Sequence, residues 1–434
     1  MLILANFLRV YAGKVSVEAH TQEFLTERNN IFRTFFDHKM VTMSEYFTPE
    51  GAAKGVRQKR ETEVEGFAME IMLGRELDPS DTIPQLGLDD GQGYLKFLLT
   101  LKSRSEANNL PADQKQKKRR SLYKEGFSPK DYKLSGVKKI LVLAMSPTIE
   151  THENVEAILL LLNISVLDFA FSADIKMQLI LVGKMSASCS HACPYCNGSK
   201  PEWVIDSPRT TIGSLWQNYR DFMKPVAEKS GGGNEKKAKE FNIVVRRPLV
   251  TGEDETQILG GVFFFPELHV LIGIVGKMMM ELETSTVFES EKAGRAYLVQ
   301  WEKSCNVSRT AFHGSTNYNG NNAERLLDKV ESLEESLEGL IVEGEKLALA
   351  RKFISVFKDF RAVVHSCFGM RDLDPNYEHY IDVFSKSYRA LNISVTVKVH
   401  LVEAHLAEFL KFFGETTLWD FTVNKPVRGY IRTF

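Results

Sequence analysis

Polar and apolar positions in this chain fall into two regimes, with short apolar runs before residue 185 and helical periodicity after it. Residues 83–90 form a short apolar segment that ends in two acids. After Gly91-Gln92-Gly93, residues 94–101 predict a second strand, and the glycines suit a tight hairpin. Residues 140–144 have the unbroken apolar character of a buried strand. Residues 150–162 are predicted helical, with His152, Glu153 and Glu156 near the start, where negative charge suits the helix dipole. Residues 165–172 predict another strand, followed by Ala173, Asp174 and an apolar helix through Val182.

Residues 102–138 read as a long solvated loop with Lys117-Lys118-Arg119-Arg120 near its centre. A break at Ser230-Gly231-Gly232-Gly233-Asn234 reads as a flexible surface loop. Residues 322–364 are the longest helical stretch, with Leu326, Val330, Leu333, Leu337 and Leu340 forming one apolar seam that suits core packing. The expected fold class is α/β. Its regions are 1–80, mixed and without recognisable chemistry; 81–185, a core with an acidic site; 186–399, a mostly helical insertion; and 400–434, a helix returning to the core.

Composition changes this picture little. The chain has 434 residues, 43% apolar and 26% charged, and a mean hydropathy of −0.20, which suits two or three globular domains. No apolar run is long enough to cross a bilayer, and the apolar residues 2–8 are too few for a signal peptide. Five cysteines, an odd count, fit a reducing, intracellular compartment better than a disulfide scaffold. The net charge of −1 gives no global field towards DNA, so any affinity for it must come from local patches. The run 117–120 can contact phosphates or simply be solvated.

Two constellations carry chemistry. Asp89 and Asp90 end the first predicted strand, and Asp174 follows the fourth. If those strands are neighbours, the acids converge and can hold Mg²⁺ or Mn²⁺ for phosphodiester chemistry; taken singly, each acid is also an ordinary strand end. The second constellation is Cys193-Pro194-Tyr195-Cys196 with His400 and His405, a donor set for a tetrahedral structural Zn²⁺. Such an ion would clip two distant segments together. The histidines are five apart, so His400 is expected just before the helix that carries His405. Cys-Pro-Tyr-Cys also matches a glutaredoxin active site, but that chemistry needs a helix running on from the second cysteine, and Asn197-Gly198-Ser199-Lys200-Pro201 breaks helices. A zinc deaminase needs an H-x-E motif and a proline before the first cysteine, and both are missing.

Across roughly residues 80–420 the chain resembles DDE-type transposases related to Transib elements and to the catalytic subunit of the vertebrate V(D)J recombinase. The resemblance is carried by Gly87-Leu88-Asp89-Asp90-Gly91-Gln92-Gly93-Tyr94-Leu95-Lys96, by Phe171-Ser172-Ala173-Asp174-Ile175-Lys176-Met177, and by His191-Ala192-Cys193-Pro194-Tyr195-Cys196. Pro266-Glu267-Leu268-His269, Phe312-His313-Gly314, Asn319-Gly320-Asn321 and the His400/His405 spacing add to it. It implies a ribonuclease-H-like core, a mixed sheet with flanking helices, and a large helical zinc-binding insertion. Asp174 precedes Cys193 by nineteen residues, the separation this family has between its second catalytic Asp and first zinc cysteine. The first acid falls on Asp89 by register to Tyr94-Leu95-Lys96, and on Asp90 by the Asp-Gly match. The zinc ligands fall on Cys193, Cys196, His400 and His405. DNA as substrate, a nuclear location and homodimers are further implications.

The family's third acid, a Glu about twenty residues after the second zinc histidine, has no counterpart here. Gly414 and Trp419 fit the pattern, but Lys425 stands near the expected Glu, and neither Glu415 nor Asp420 is in its place. The tail resembles a frame change, a mis-spliced exon or a truncation. Losing one of three carboxylates impairs two-metal chemistry. Three functions follow: a DNA strand-transfer enzyme, a catalytically inactive DNA- or protein-binding module of transposon origin, and a zinc-stabilised helical interaction module.

Overall fold

In a computed structural model of the protein, the structure describes residues 82–91, 94–103, 141–146, 148–162, 170–200, 203, 207–228, 244–251, 254–312, 315–341, 344–368 and 373–413. The expectations for residues 1–80, the basic run 117–120, the glycine break at 230–234, and the tail with Glu415, Trp419, Asp420 and Lys425 fall outside them. The chain divides into two units, the first running to Phe171 and the second beginning at Ser172.

The first unit holds a hairpin of β1 (Thr82–Gly91) and β2 (Tyr94–Ser103) in antiparallel register from Thr82↔Ser103 to Gly91↔Tyr94. β3 (Leu141–Ser146) pairs antiparallel with β2. Phe97 faces Ala144 while Leu98 faces Val142, so Leu143 is the extra residue of a bulge. With β4 (Ala170–Ala173) the strands form a four-stranded mixed sheet in the order β3-β2-β1-β4. The position of β1 and β2 inside the sheet explains their unbroken burial: Gln85, Leu86, Leu88 and Asp89 in β1, and Leu95 to Leu101 in β2, are all buried. Helix α1 (His152–Leu162) packs beside β3, with Glu153 in its first turn as the pattern predicted.

The second unit is mostly helical. It begins with α2 (Ile175–Leu181) and α3 (Ile212–Glu228). At its centre lies α4 (Glu267–Thr284), whose Val270, Leu271, Ile274, Val275, Met278 and Leu282 are buried. Around α4 gather α5 (Glu291–Ser304), α6 (Gly320–Asp328), α8 (Gly344–Cys367) and α10 (Val397–Ala404). A small hairpin of β5 (Thr310–Phe312) and β6 (Ser315–Asn317) precedes α6, and α7 (Val330–Leu340) leads into α8. Helix α8 buries Phe353, Phe357, Phe360 and Val364 on one stripe and packs against α9 (Tyr377–Ala390). Helix α11 (Leu406–Phe413) ends the described chain.

Arg309 fastens α4 to α5. Its guanidinium holds both carboxylate oxygens of Glu302 at 3.0 Å and Glu283 at 2.7 Å, and Tyr318 donates to Glu302 at 2.6 Å. The fork geometry lets one cation satisfy two buried carboxylates.

The helical stretch expected over 322–364 consists of three helices. Lys329 leaves helical geometry at ψ 14°, and Ile341 turns extended at ψ 114°. Burial of Ile341 in the core decides the second break: the chain turns inward there, which leaves Leu340, the last residue of the expected seam, 53% exposed. The other seam residues, Leu326, Val330, Leu333 and Leu337, are buried. Among the described residues no helix is long and apolar enough to cross a membrane.

Candidate metal centre

Cys193, Cys196, His400 and His405 meet in the second unit. All four are buried, and their donor atoms lie within 4.8 Å of one another. Cys193 Sγ stands 3.4 Å from His405 Nε2, and Cys196 Sγ stands 3.2 Å from His400 Nε2. Zinc–sulfur bonds of about 2.3 Å and zinc–nitrogen bonds of about 2.0 Å at tetrahedral angles separate such donors by roughly 3.5 Å, so the set fits an ion such as Zn²⁺.

The cysteines lie in a turn pinned by backbone bonds. Asn197 N–H donates to Pro208 O at 3.0 Å, Thr210 N–H donates to Tyr195 O at 2.8 Å, and Cys196 bridges to Arg209. Within the turn, Tyr195 N–H points at Cys193 Sγ from 3.4 Å, which stabilises a thiolate there. The histidines come from the last helical pair among the described residues. Contrary to the expectation, His400 lies inside α10, and His405 is the C-cap of that helix, immediately before α11. The helix nearly continues, since His405 N–H still bonds Leu401 O and Phe409 N–H bonds His405 O. At His405 the backbone departs to φ −125°, and this bend brings residues five apart to one point.

Several neighbours hold the ligands. Trp203 stacks on the His400 ring at 4.6 Å and 7°, and Tyr195 lies 5.6 Å from the His405 ring. Arg209 ties the cysteine turn to the histidine helices, donating to Ala404 O at 2.9 Å and pairing with Glu408. Arg389 bonds Trp203 O at 3.1 Å and Glu403 at 2.8 Å. Beneath the thiols, the buried Lys184 ammonium donates to Cys193 O at 2.8 Å and Cys196 O at 3.3 Å. Gly183 makes room for this arrangement. Its φ is +70°, and a Cβ there would sit 2.2 Å from Arg246 O, so glycine alone suits the position.

Electrostatics favour ligation. Burial pushes the Cys193 thiol up, while a hydrogen bond from Cys193 and then the two imidazoles hold Cys196 low. Both cysteines ligate as thiolates, so metal binding displaces whatever proton the pair retains. Burial lowers the pKa of His405, keeping its imidazole in the neutral, ligating form. Burial also lowers the pKa of Lys184, against the pull of the two cysteines. The redox alternative meets two obstacles: both thiols are fully buried, and Asn197 to Ser199, directly after Cys196, form no helix.

The carboxylates are described unit by unit. In the first, Asp89 lies directly opposite Lys96 across the β1–β2 pair, with Nζ 3.5 Å from Oδ2 and both side chains buried. Asp90 follows it in β1, and its side chain is outside the described residues. In the second, Asp174 is the N-cap of α2, its Oδ1 accepting from Met177 N–H at 2.8 Å. Half-buried Lys398 of α10 stands in the field of Asp174. Sequence reasoning missed Gln178, Lys184, Trp203, Arg209 and Lys398. For Lys184 there was one usable signal, a lone cation at the end of an apolar helix nine residues before Cys193.

No protein-family model matches the chain, and no curated protein matches it. Functional assignment rests on the chain's own residues.

Elemental analysis of the purified protein should find about one tightly bound zinc per chain, absent from the Cys193→Ser/Cys196→Ser double variant. A metal-free protein of unchanged stability would contradict the site. Lys184→Met should weaken zinc about 10- to 100-fold in chelator competition, because it strips the support from both cysteine carbonyls. Unchanged affinity would assign Lys184 to packing alone.

Proposed function

We propose that this chain is a transposon-derived protein on a DDE-recombinase scaffold, with a ribonuclease-H-like sheet, a structural zinc, and strand-transfer activity impaired by loss of the third carboxylate. The observation that carries the reading is the sheet order, in which β1 and β4 are neighbours. Asp89-Asp90 stand at the end of β1 in the first unit, and Asp174 follows β4 at the start of the second. The Cys₂His₂ cluster following Asp174 at the family's spacing supports the same reading. When bound by such acids, divalent ions activate a water or 3′-hydroxyl and stabilise the leaving oxygen.

One observation favours the second reading, a catalytically inactive DNA- or protein-binding module. Asp89 pairs with the buried Lys96 ammonium at 3.5 Å, so a divalent ion at that acid must compete with a buried cation. Both readings keep DNA as the partner to test first, and a second copy of the chain as the expected assembly.

The full chain should bind duplex DNA with an affinity that falls as salt rises, and should leave supercoiled DNA intact in Mn²⁺. Absence of DNA binding at low salt would overturn the reading. Nicking that disappears in Asp174→Asn would show instead that another acid completes the site and that the activity survives.

A further inference from the structure

The second unit contains a buried polar chain that leads from the cysteine turn to the proposed catalytic aspartate. Tyr195, between the two cysteines, donates its hydroxyl to Gln178 Oε1 at 2.5 Å. Gln178 in turn donates from Nε2 to Ala173 O at 3.0 Å and to Phe264 O at 3.4 Å. Ala173 is the last residue of β4, immediately before Asp174. The backbone closes the same circuit, since Gln178 N–H donates to Asp174 O at 2.9 Å. Gln178 is 0% exposed and Tyr195 1% exposed, so neither can exchange its protein partner for water.

The Tyr195 hydroxyl owes its aim to the metal ligands. Its ring lies 5.6 Å from that of His405 and 4.9 Å, edge-on, from that of Phe409. Its backbone N–H points at Cys193 Sγ. Opening the cluster would remove the histidine wall and the thiolate anchor together. From the histidine side, Lys398 lies across Gly273 of α4, two residues before His400, and brings its charge towards Asp174. Both halves of the cluster therefore reach the segment 173–178.

We propose that Tyr195 and Gln178 are positioning residues that transmit closure of the Cys₂His₂ cluster to the end of β4 and so fix Asp174. Amide groups suit this task, because Gln178 accepts from the tyrosine on one side and donates to the strand end on the other. The functional consequence rests on the reading of Asp174 as an acid of the DNA-cleaving site. The coupling itself is measured without catalysis.

Hydrogen exchange on the full chain, zinc-loaded and chelator-treated, tests the coupling. In the wild type, chelation should speed exchange across residues 173–181 about tenfold or more. Tyr195→Phe should keep its zinc, exchange faster over the same residues while still loaded, and respond less to chelation. Wild-type protection in loaded Tyr195→Phe, with the full response to chelation retained, would overturn the proposal. Should Tyr195→Phe fail to fold, Gln178→Met keeps the side-chain length, removes the amide and faces the same two outcomes. Loss of zinc in both variants would also count against it, because a relay downstream of the ion must leave the ligands intact. Failure of the DNA reading looks different: exchange would follow zinc as stated, while the full chain would not bind duplex DNA at low salt.

Discussion

The second unit depends on one constraint, the meeting of a tight cysteine turn with a bent helix pair 204 and 212 residues further along the chain. Few contacts of that sequence separation can be specified by four side chains. A cross-link of such span removes chain entropy worth on the order of 5 kcal/mol from the unfolded state, as long as the ion holds all four donors. The same closure sets the neighbourhood of the ligands. Trp203 can stack on His400 and Arg209 can cap the end of α10 only if the two segments are already together. Core packing around α4, including α10 itself, then proceeds from a fixed corner.

Charge placement follows a second pattern. Two lysines, Lys96 and Lys184, are withdrawn from water, and Lys398 is half-buried. Burying an ammonium is costly unless an anion or several acceptors meet it. Lys96 meets Asp89, Lys184 meets the carbonyls beneath the two thiols, and Lys398 stands near Asp174. Cations therefore stand beside the groups that the chemistry concerns, and they supply positive charge there whether or not a metal does. For Asp89 this places a cation directly opposite the carboxylate, and for the Cys193 thiol it favours deprotonation.

Much of the architecture was legible from local pattern. The β1–β2 hairpin followed from an apolar run on each side of a glycine-flanked turn, and Asp174 sat between a strand and a helix because Asp is a good N-cap. The four metal donors were readable because cysteine and histidine at such spacings carry few structural alternatives. Other features depended on tertiary packing. The break at Ile341 comes from a core position that no periodicity reveals, and the bend at His405, which brings two imidazoles to one point, is equally silent in the pattern. Lys184, Gln178 and Trp203 escaped notice because their roles are made by partners distant in the fold: Gln178 bonds Phe264 O, 86 residues away.

Zinc K-edge X-ray absorption on the purified full-length chain tests the central claim most directly. The account requires a first shell of two sulfurs at about 2.3 Å and two nitrogens at about 2.0–2.1 Å. A shell of light atoms only, or one that keeps both nitrogens after His400 and His405 are replaced by Ala, would show that these four residues do not share an ion, and the closure of the second unit would need another explanation.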